Sequence, residues 1–421
     1  MQKIQNTNQA VNIRIAFVGA VFIGLTLISI VSFTDQYDWI KAPDAWLYDW
    51  RTAHFASRTE TVRQDILVVT IDETSLEQYS WNSPVNRRLT AELVRGLESA
   101  GAKAIGLDFL YDKQTKPADD KELIRTLKLA KIPVVIAALD ERSTLRERDP
   151  KTALEFQEKF IARTSQPAGH AYFFSSEREG RFDIGDNVIR KRTGPSPQPP
   201  YRKSFAGLLA EKAAGVSNRQ VIAETELIDW QRAPRRGLYR YPVPELRVHA
   251  HVPGTNIDGL FRQGWRDLVP GRIVLIGGSF GDRDRHLTPF SVINRQTMPG
   301  VFIHAQVLAQ LIDGRKVRII PLWLEGILLV LSVLFGWWLA RRCMMPFRKL
   351  SFFRYRFNAN GIGESFLAGG VIFVAGVTTY AITGYIIPSA TIFLAFLAGL
   401  SLGNPPHWLM IILKFLRMRG S

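Results

Sequence analysis

Four long apolar segments constrain this chain more than any other feature of its sequence. Each is close to the ~20 residues that a helix needs to cross the hydrocarbon core of a bilayer. A cleavable signal peptide would have a shorter apolar region of about 7–15 residues and a small-residue cleavage site, and the first segment has neither. The sequence therefore predicts a retained N-terminal membrane helix and three more near the C-terminus. The predicted spans are residues 15–33, 319–340, 362–383 and 386–402.

Basic residues are distributed unevenly along the chain. Residues 34–318 carry 43 Lys and Arg against 36 Asp and Glu, whereas the rest of the chain carries eleven basic and two acidic side chains. These eleven fall in residues 1–14, 341–361 and 403–421, which four spans place on one side of the membrane. The positive-inside rule makes that side the cytoplasm. We predict a multi-pass inner-membrane protein with cytoplasmic termini and a periplasmic domain over residues 34–318.

Charge and cysteine content exclude two further classes of protein. A net charge of +16 would by itself indicate nucleic acid or an anionic membrane as the partner. Because the basic excess follows the topology, we expect an anionic lipid bilayer and no nucleic acid. Residues 403–421 are basic and amphipathic, so we expect them at the cytoplasmic surface or on a partner. The single cysteine, Cys343, excludes a disulfide framework and a Cys-rich zinc module.

The positions of some small and acidic residues in the predicted spans indicate their roles. Ala395 and Gly399 form a small-xxx-small stripe, which favours close contact with another helix. Glu325 and Glu364 lie nearer the ends of their spans than the centres, so we interpret them as interfacial anchors.

The exported segment has the pattern of an α/β domain. Four β-branched runs are continuously apolar, which favours strands covered on both faces, as in a parallel sheet. Three leucines recur every four residues within 86–100, and Gly101 follows as a C-cap. Strand, helix and strand in this order predict a mostly parallel sheet with flanking helices. We also expect Pro150 to interrupt a charged helix over 141–161. The four runs are residues 66–71, 104–107, 133–137 and 272–276.

Several blocks of this segment resemble a type-2 CHASE sensor domain. Asp65–Ser75 (DILVVTIDETS) and Ile105–Phe109 resemble the opening of that family, and Gly271–Ser279 (GRIVLIGGS) and Met298–Val301 resemble its closing blocks. The resemblance implies an extracytoplasmic sensory domain with one anchor before it and three spans after it. Such sensors commonly continue into a cyclase, kinase or phosphatase. The sequence here ends at Ser421, so we expect a separate protein to supply the output.

Acidic and small polar residues follow several predicted strands. Open α/β sheets bind ligands outside the carboxyl ends of their strands. We therefore predict that Asp72 and Asp108 lie at one sheet edge with Gly277–Ser279 beside them, in a cleft for a cation or a polyol. The alternative is that the acids only cap helices and bind loop amides. The candidate ligand-binding residues are Asp72, Glu73, Asp108, Gly277, Gly278, Ser279, Asp284, Thr288 and His304.

Two catalytic or metal interpretations are weaker. Gly277–Gly281 matches Gly-x-Ser-x-Gly, but a nucleophile elbow needs a helix directly after the serine, and residues 282–289 do not have that pattern. His249 and His251 would share a face of a strand, without a visible third metal ligand. We expect no catalytic residue, no metal site and no cofactor.

Three functions remain open at this point. The first is a membrane-anchored sensor without its own output enzyme, which relays a signal to a cytoplasmic or membrane partner. The second is a structural or scaffold subunit of an envelope complex, and the third is an exported serine hydrolase. The sequence leaves a homodimer open for each of them.

Overall fold

The computed structural model of the protein describes eleven stretches of the chain. By their contacts the residues divide into two units: Met1–Arg51, Glu179–Gly185 and Arg318–Ser421 form the first, and Thr52–Arg178 and Asp186–Val317 form the second. The predicted span 15–33 lies outside the described residues, as do residues 344–358 and 404–421. The described residues are 38–55, 63–79, 84–142, 149–173, 188–196, 200–221, 226–230, 245–249, 265–281, 284–343 and 359–403.

Ten strands and twelve α-helices are present in the described part of the chain. The strands are β1 (Ile66–Ile71), β2 (Ala104–Asp108), β3 (Val134–Ala138), β4 (Ala168–His170), β5 (Lys191–Arg192), β6 (Glu226–Leu227), β7 (Glu245–Arg247), β8 (Ile273–Gly278), β9 (Arg285–His286) and β10 (Met298–Pro299). The helices are α1 (Asp38–Phe55), α2 (Arg87–Ser99), α3 (Pro117–Leu129), α4 (Pro150–Thr164), α5 (Phe205–Ala214), α6 (Asn218–Val221), α7 (Trp265–Leu268), α8 (Ser291–Asn294), α9 (Gly300–Ile312), α10 (Leu322–Cys343), α11 (Ala359–Thr383) and α12 (Ser389–Gly403). A short 3₁₀ helix covers Thr74–Leu76.

The second unit is built on a parallel sheet of six strands in the order β4-β3-β2-β8-β1-β7. Helices α2, α3 and α4 pack on one face of the sheet, and α5 and α9 pack on the other. Both faces are therefore covered, which explains why the strands are continuously apolar. The prediction of a mostly parallel sheet with flanking helices is confirmed. Two short antiparallel pairs, β5–β6 and β9–β10, lie outside this sheet.

Local sequence explains where two of the helices begin. The side chain of Asn86 accepts hydrogen bonds from the backbone N–H groups of Arg88 and Leu89, so it caps α2. Asp149 caps α4 in the same way, and Pro150 occupies the first position of that helix. We expected Pro150 to interrupt a helix over 141–161, and the helix instead begins at Pro150, while residues 143–148 lie outside the described residues. The proline has no N–H to lose at this position, so it starts the helix.

Two glycines allow helices to approach the sheet closely. A Cβ atom on Gly106 would lie 2.8 Å from Cδ2 of Leu209 in α5. A Cβ atom on Gly277 would lie 2.5 Å from Cβ of Val301 in α9. Both helices therefore sit against strand backbone, which places the N-terminus of α9 near the carboxyl end of β8.

The first unit contains α10, α11 and α12. Within the described residues, one helix window meets the length and hydropathy of a membrane span, Leu322–Ala340, with 19 residues. The apolar windows Leu367–Thr383 and Ser389–Leu400 are shorter. Of the three predicted spans in the described residues, one coincides with a helix of full span length and two with shorter apolar helices, so four membrane spans remain a prediction.

Helices α10 and α12 run in the same direction and touch through glycines. They begin side by side, because Ile320 N–H donates to Ile386 O at 3.3 Å and Ile386 N–H donates to Arg318 O at 2.8 Å. A Cβ atom on Gly399 would overlap the backbone oxygen of Val333, and Ala395 is fully buried. The predicted small-residue contact is confirmed.

Candidate functional site

The carboxyl edge of the sheet brings three predicted segments together. Asp72 follows β1 and Asp108 ends β2, while β8 lies between these two strands. Asp108 is paired with Gly277, and the N–H of Ser279 donates to Ile71 O at 2.8 Å. The prediction that these residues share one edge is confirmed, because parallel strands end on the same side.

Asp72 and Glu73 bind loop groups of the protein itself. Oδ1 of Asp72 accepts hydrogen bonds from Thr74 Oγ1 at 2.7 Å and from the N–H and hydroxyl of Ser75, both at 2.9 Å. Burial alone would raise the pKa of Asp72, but these hydrogen bonds outweigh it and lower the pKa. Glu73 Oε1 accepts from Gly281 N–H at 2.7 Å. For these two acids the contacts match the capping alternative.

Asp108 and His304 form the buried centre of the site. Nε2 of His304 lies 3.7 Å from Oδ1 of Asp108, and the side chains are 5% and 8% exposed, respectively. Oδ2 of Asp108 has no hydrogen-bond partner among the described residues. Burial, with the nearby charge of Asp284, raises the pKa of Asp108 well above its usual range. Burial, aided by His286 and His170, lowers the pKa of His304 to about 3. The imidazole of His304 is therefore neutral near neutral pH, and burial shifts Asp108 towards its protonated form.

A second acid–imidazole pair lies beside the first and is more exposed. Nε2 of His286 is 3.1 Å from Oδ1 of Asp284. The backbone oxygen of Asp284 accepts from the N–H of Gly300 at 3.0 Å, and both carboxylate oxygens lie close to Gly300 Cα, where a side chain would collide with them. The pair is thus held at the start of α9. Thr288 follows His286 closely in the sequence and is buried. Its hydroxyl has no hydrogen-bond partner among the described residues.

Aromatic rings line the two imidazoles. Phe173 stacks on His304 with ring centroids 4.3 Å apart and meets the edge of His286 at 5.2 Å. Phe205, the first residue of α5, contacts His304 edge-on at 5.0 Å. Phe173 therefore contacts both acid–imidazole pairs, and sequence reasoning identified neither phenylalanine.

Strands β3 and β4 add polar residues that the sequence analysis missed. Asp140 follows β3 and is paired with Arg142, whose guanidinium lies over Tyr172 at 4.9 Å. His170 ends β4, and burial together with the charge of Arg142 lowers its pKa to about 4. Asp140 follows the predicted run 133–137, so the rule that singled out Asp72 and Asp108 would have found it. His170 ends a strand of three residues that no apolar run announces.

The geometry of the described residues gives little support to the serine hydrolase and metal-site interpretations. Ser279–Gly281 form no helix, so the strand–turn–helix of a nucleophile elbow is not seen in the residues described there. Among the described residues, no group of three or more His, Cys, Asp or Glu side chains could hold a metal ion. His249 is described, but His251 lies outside the described residues.

Comparison with known proteins assigns the chain to a family. The family model of the CHASE2 domain matches residues 18–339, which is well over half of the chain. Searches of curated proteins and of solved structures gave no significant match. CHASE2 domains are extracytoplasmic sensory domains of membrane proteins. The parallel sheet and the match over residues 18–339 together lead to one conclusion: this chain belongs to the CHASE2 domain family.

Proposed function

We propose that this chain is a sensor of the bacterial inner membrane. Its periplasmic CHASE2 domain binds a signal at the carboxyl edge of the sheet and relays it through the membrane helices to a separate signalling partner. The observation that carries the proposal is the buried carboxyl of Asp108, whose Oδ2 has no partner among the described residues and whose Oδ1 lies 3.7 Å from an equally buried imidazole. A buried polar group without a hydrogen bond costs free energy, so its retention favours a functional role.

The chemistry of the site favours a polyol over a cation. Hard cations bind ionised oxygen ligands, whereas the raised pKa of Asp108 favours the neutral acid. A neutral carboxyl can donate one hydrogen bond and accept others, and the neutral imidazole of His304 can do the same. The ring of Phe173 offers an apolar surface beside them, which suits the C–H face of a small polyol.

Three features of the first unit support a multi-pass membrane topology. Helix α10 exposes a stripe of large apolar side chains that includes Trp323, Leu331 and Phe335. Such a stripe suits lipid chains as its surroundings. Helices α10 and α12 start side by side, and α11, which lies between them in the sequence, runs in the opposite direction. Cys343 and Gly403 therefore lie at the same end of the three helices. The basic segments follow these two residues in the sequence, which supports a cytoplasmic location for that end.

Ligand binding is tested with the full chain in lipid nanodiscs. Thermal unfolding is measured with a panel of small polyols and, separately, with divalent cations. A ligand at ~100 times its dissociation constant should stabilise the wild type by about 2.7 kcal/mol. The Asp108→Ala variant should lose this stabilisation, because it removes both the donor and the acceptor of the carboxyl, while Asp119→Asn, in the first turn of α3, should keep it. Equal stabilisation of both variants would contradict the assignment of the site.

Topology and partner are tested separately from the ligand. Alkaline-phosphatase fusions after residue 150 should be active, and fusions after residues 355 and 421 inactive. An active fusion at 355 would contradict the four-span topology. Deletion of residues 407–421 should abolish co-purification of a partner while leaving membrane insertion intact. A partner that binds equally well without these residues and without any ligand would favour the scaffold alternative.

A further inference from the structure

We propose that Asp44 and Arg51 of α1 clamp the turn between α11 and α12 and so couple α1 to the last two membrane helices. The clamp is an interaction site inside the chain. Its role in relaying a signal rests on the proposed function, but its contacts do not.

Asp44 caps the N-terminus of α12 from a distant part of the chain. Its Oδ1 accepts a hydrogen bond from Ala390 N–H at 2.8 Å, and its Oδ2 accepts from Thr391 N–H at 3.0 Å and from the Thr391 hydroxyl. The first N–H groups of a helix have no partner within the helix. Caps usually come from the residue just before the helix. Here the carboxylate comes from a residue 346 positions earlier, so the N–H groups of Ala390 and Thr391 have this acceptor only when α1 is in place.

Arg51 holds the turn that leads into α12. Its side chain is buried, with the residue 1% exposed. Nη1 donates to Ile387 O at 2.8 Å, and Nη2 donates to Ser389 Oγ at 2.5 Å. Gly376 of α11 makes room for the guanidinium, because a Cβ atom there would lie 2.8 Å from Nη2. Arg51 thus contacts both helices of the hairpin and the turn between them.

The two residues act from one face of α1. They are seven positions apart, which is about two helical turns, so they project in nearly the same direction. Trp50 adds a ring contact to Phe373 of α11, with centroids 5.2 Å apart. Most of the clamp's hydrogen bonds go to backbone groups, which fixes the hairpin's position more tightly than side-chain packing alone.

The chain provides a continuous path through this clamp. Helix α1 runs from Asp38 to Phe55 and carries Asp44, Trp50 and Arg51. Helix α12 in turn touches α10 at Gly399 and Val333. A displacement of α1 therefore reaches α12 first and α10 through it.

Hydrogen exchange tests the contact in the full chain, in lipid nanodiscs and without any ligand. The variants are Asp44→Ala, Asp44→Asn and Arg51→Gln, and the control is Arg95→Gln, which removes an exposed ion pair with Glu122. In Asp44→Ala, amides 390 and 391 should exchange about tenfold faster, because these N–H groups lose their acceptors. Arg51→Gln removes the donors to Ile387 O and Ser389 Oγ and should speed exchange in the same turn by a smaller factor. Asp44→Asn keeps one of the two acceptor oxygens and should fall between Asp44→Ala and the wild type, whereas the control should match the wild type.

Hydrogen exchange at amides 329–340 of α10 tests the coupling. Because α12 touches α10 at Gly399 and Val333, these amides should exchange roughly threefold faster in Asp44→Ala and Arg51→Gln and at the wild-type rate in Arg95→Gln. Unchanged exchange at 389–392 would overturn the clamp. Faster exchange throughout β1 and β8 as well would also overturn it, since the residues would then serve the whole fold. Faster exchange in the first turn of α12 with unchanged exchange at amides 329–340 would overturn the coupling. None of these results depends on ligand binding, so a failed ligand test leaves the clamp intact.

Discussion

Helices α9 and α10 follow one another in the chain and are both strongly apolar, yet their surroundings differ. Every residue of α9 from Gly300 to Leu311 is buried, including His304 and two glutamines. Helix α10 instead leaves Trp323 67% and Phe335 52% exposed. The α9 helix has 13 residues, too few to cross a bilayer, whereas α10 has 22. Length and internal polar residues, more than hydropathy, distinguish a helix covered by protein from one suited to lipid.

Glycine also serves the two units differently. In the second unit, Gly277 admits the side chain of Val301 against a strand. In the first unit, Gly336 and Gly399 bring the backbones of α10 and α12 into contact. Helices surrounded by lipid gain little from burying apolar side chains, so in the proposed membrane topology close backbone packing stabilises α10 and α12 instead. The following predictions test this contrast.

The largest effect should come from filling the contact between α9 and the sheet. Gly277→Leu places side-chain atoms where Val301 Cβ already lies, 2.5 Å from the new Cβ. We expect the free energy of unfolding of the second unit to fall by about 3 kcal/mol. Denaturant unfolding of the full chain, followed by hydrogen exchange at β1 and β8, measures it. A loss below about 1 kcal/mol would mean that α9 moves freely away from the strand.

Separating α10 from α12 should lower stability by a smaller amount than Gly277→Leu does, and it should affect only the first unit. Gly399→Leu would insert a side chain against the backbone of Val333. We expect a loss of about 2 kcal/mol in helix association, seen as faster exchange at amides 329–340, with β1 and β8 unchanged. Gly370→Ala is the matched control, because nothing lies within 4 Å of its new Cβ. Equal effects of the two substitutions would contradict the glycine contact.

Replacing a polar residue of α9 with an apolar one should destabilise the second unit, even though it makes the helix more hydrophobic. Gln310 accepts a hydrogen bond from Asp229 N–H at 2.9 Å and donates to Leu227 O at 3.1 Å. Gln310→Leu leaves both backbone groups without these partners, and we expect a loss of about 1.5 kcal/mol. Gln220→Leu, at an exposed position, should change the free energy of unfolding by less than about 0.5 kcal/mol. If Gln310→Leu instead stabilised the protein, the internal polar residues of α9 would not distinguish it from α10, and the contrast would fail.

Asp108→Asn should change the free energy of unfolding least at slightly acidic pH, because the neutral acid and the amide have nearly the same shape. The folded pKa of Asp108 is raised, so the folded state holds this proton more tightly than the unfolded state does. The stability of the wild type should therefore fall as pH rises from the ordinary pKa of 3.8 through the raised folded value. Asp108→Asn should lack this fall and become the more stable protein at higher pH.

Denaturant unfolding at pH 4, 6 and 8 measures the effect. His304 acts in the opposite direction, because its folded pKa of about 3 lies below the ordinary value of 6.5. Its contribution is present above pH 6.5 and is lost as pH falls towards 3. The comparison is therefore repeated with His304→Gln in both proteins. Identical pH profiles with and without the Asp108→Asn substitution in that background would contradict the raised pKa.

Much of the candidate site followed from one topological rule. Parallel strands end at one edge, so Asp72 and Asp108 could be placed together from their positions after apolar runs. The rule says nothing about side-chain partners. Asp72 caps a 3₁₀ helix, whereas Asp108 faces an imidazole from α9, a helix almost 200 residues later. Phe173, which contacts both imidazoles, follows β4 and has no distinguishing pattern in the sequence.

The amino-acid sequence by itself determined the class of each unit. Apolar runs of strand length, an amphipathic helix with its Asn86 cap, and long apolar segments are properties of neighbouring residues, so they can be recognised locally. The small-residue stripe at Ala395 and Gly399 belongs to this group as well. Tertiary structure decided which distant groups meet. Asp44 caps α12 across 346 positions, and the burial that shifts the pKa of Asp108 and His304 comes from elements far apart in the chain. Such contacts depend on how whole elements pack, and no local pattern of residues specifies that.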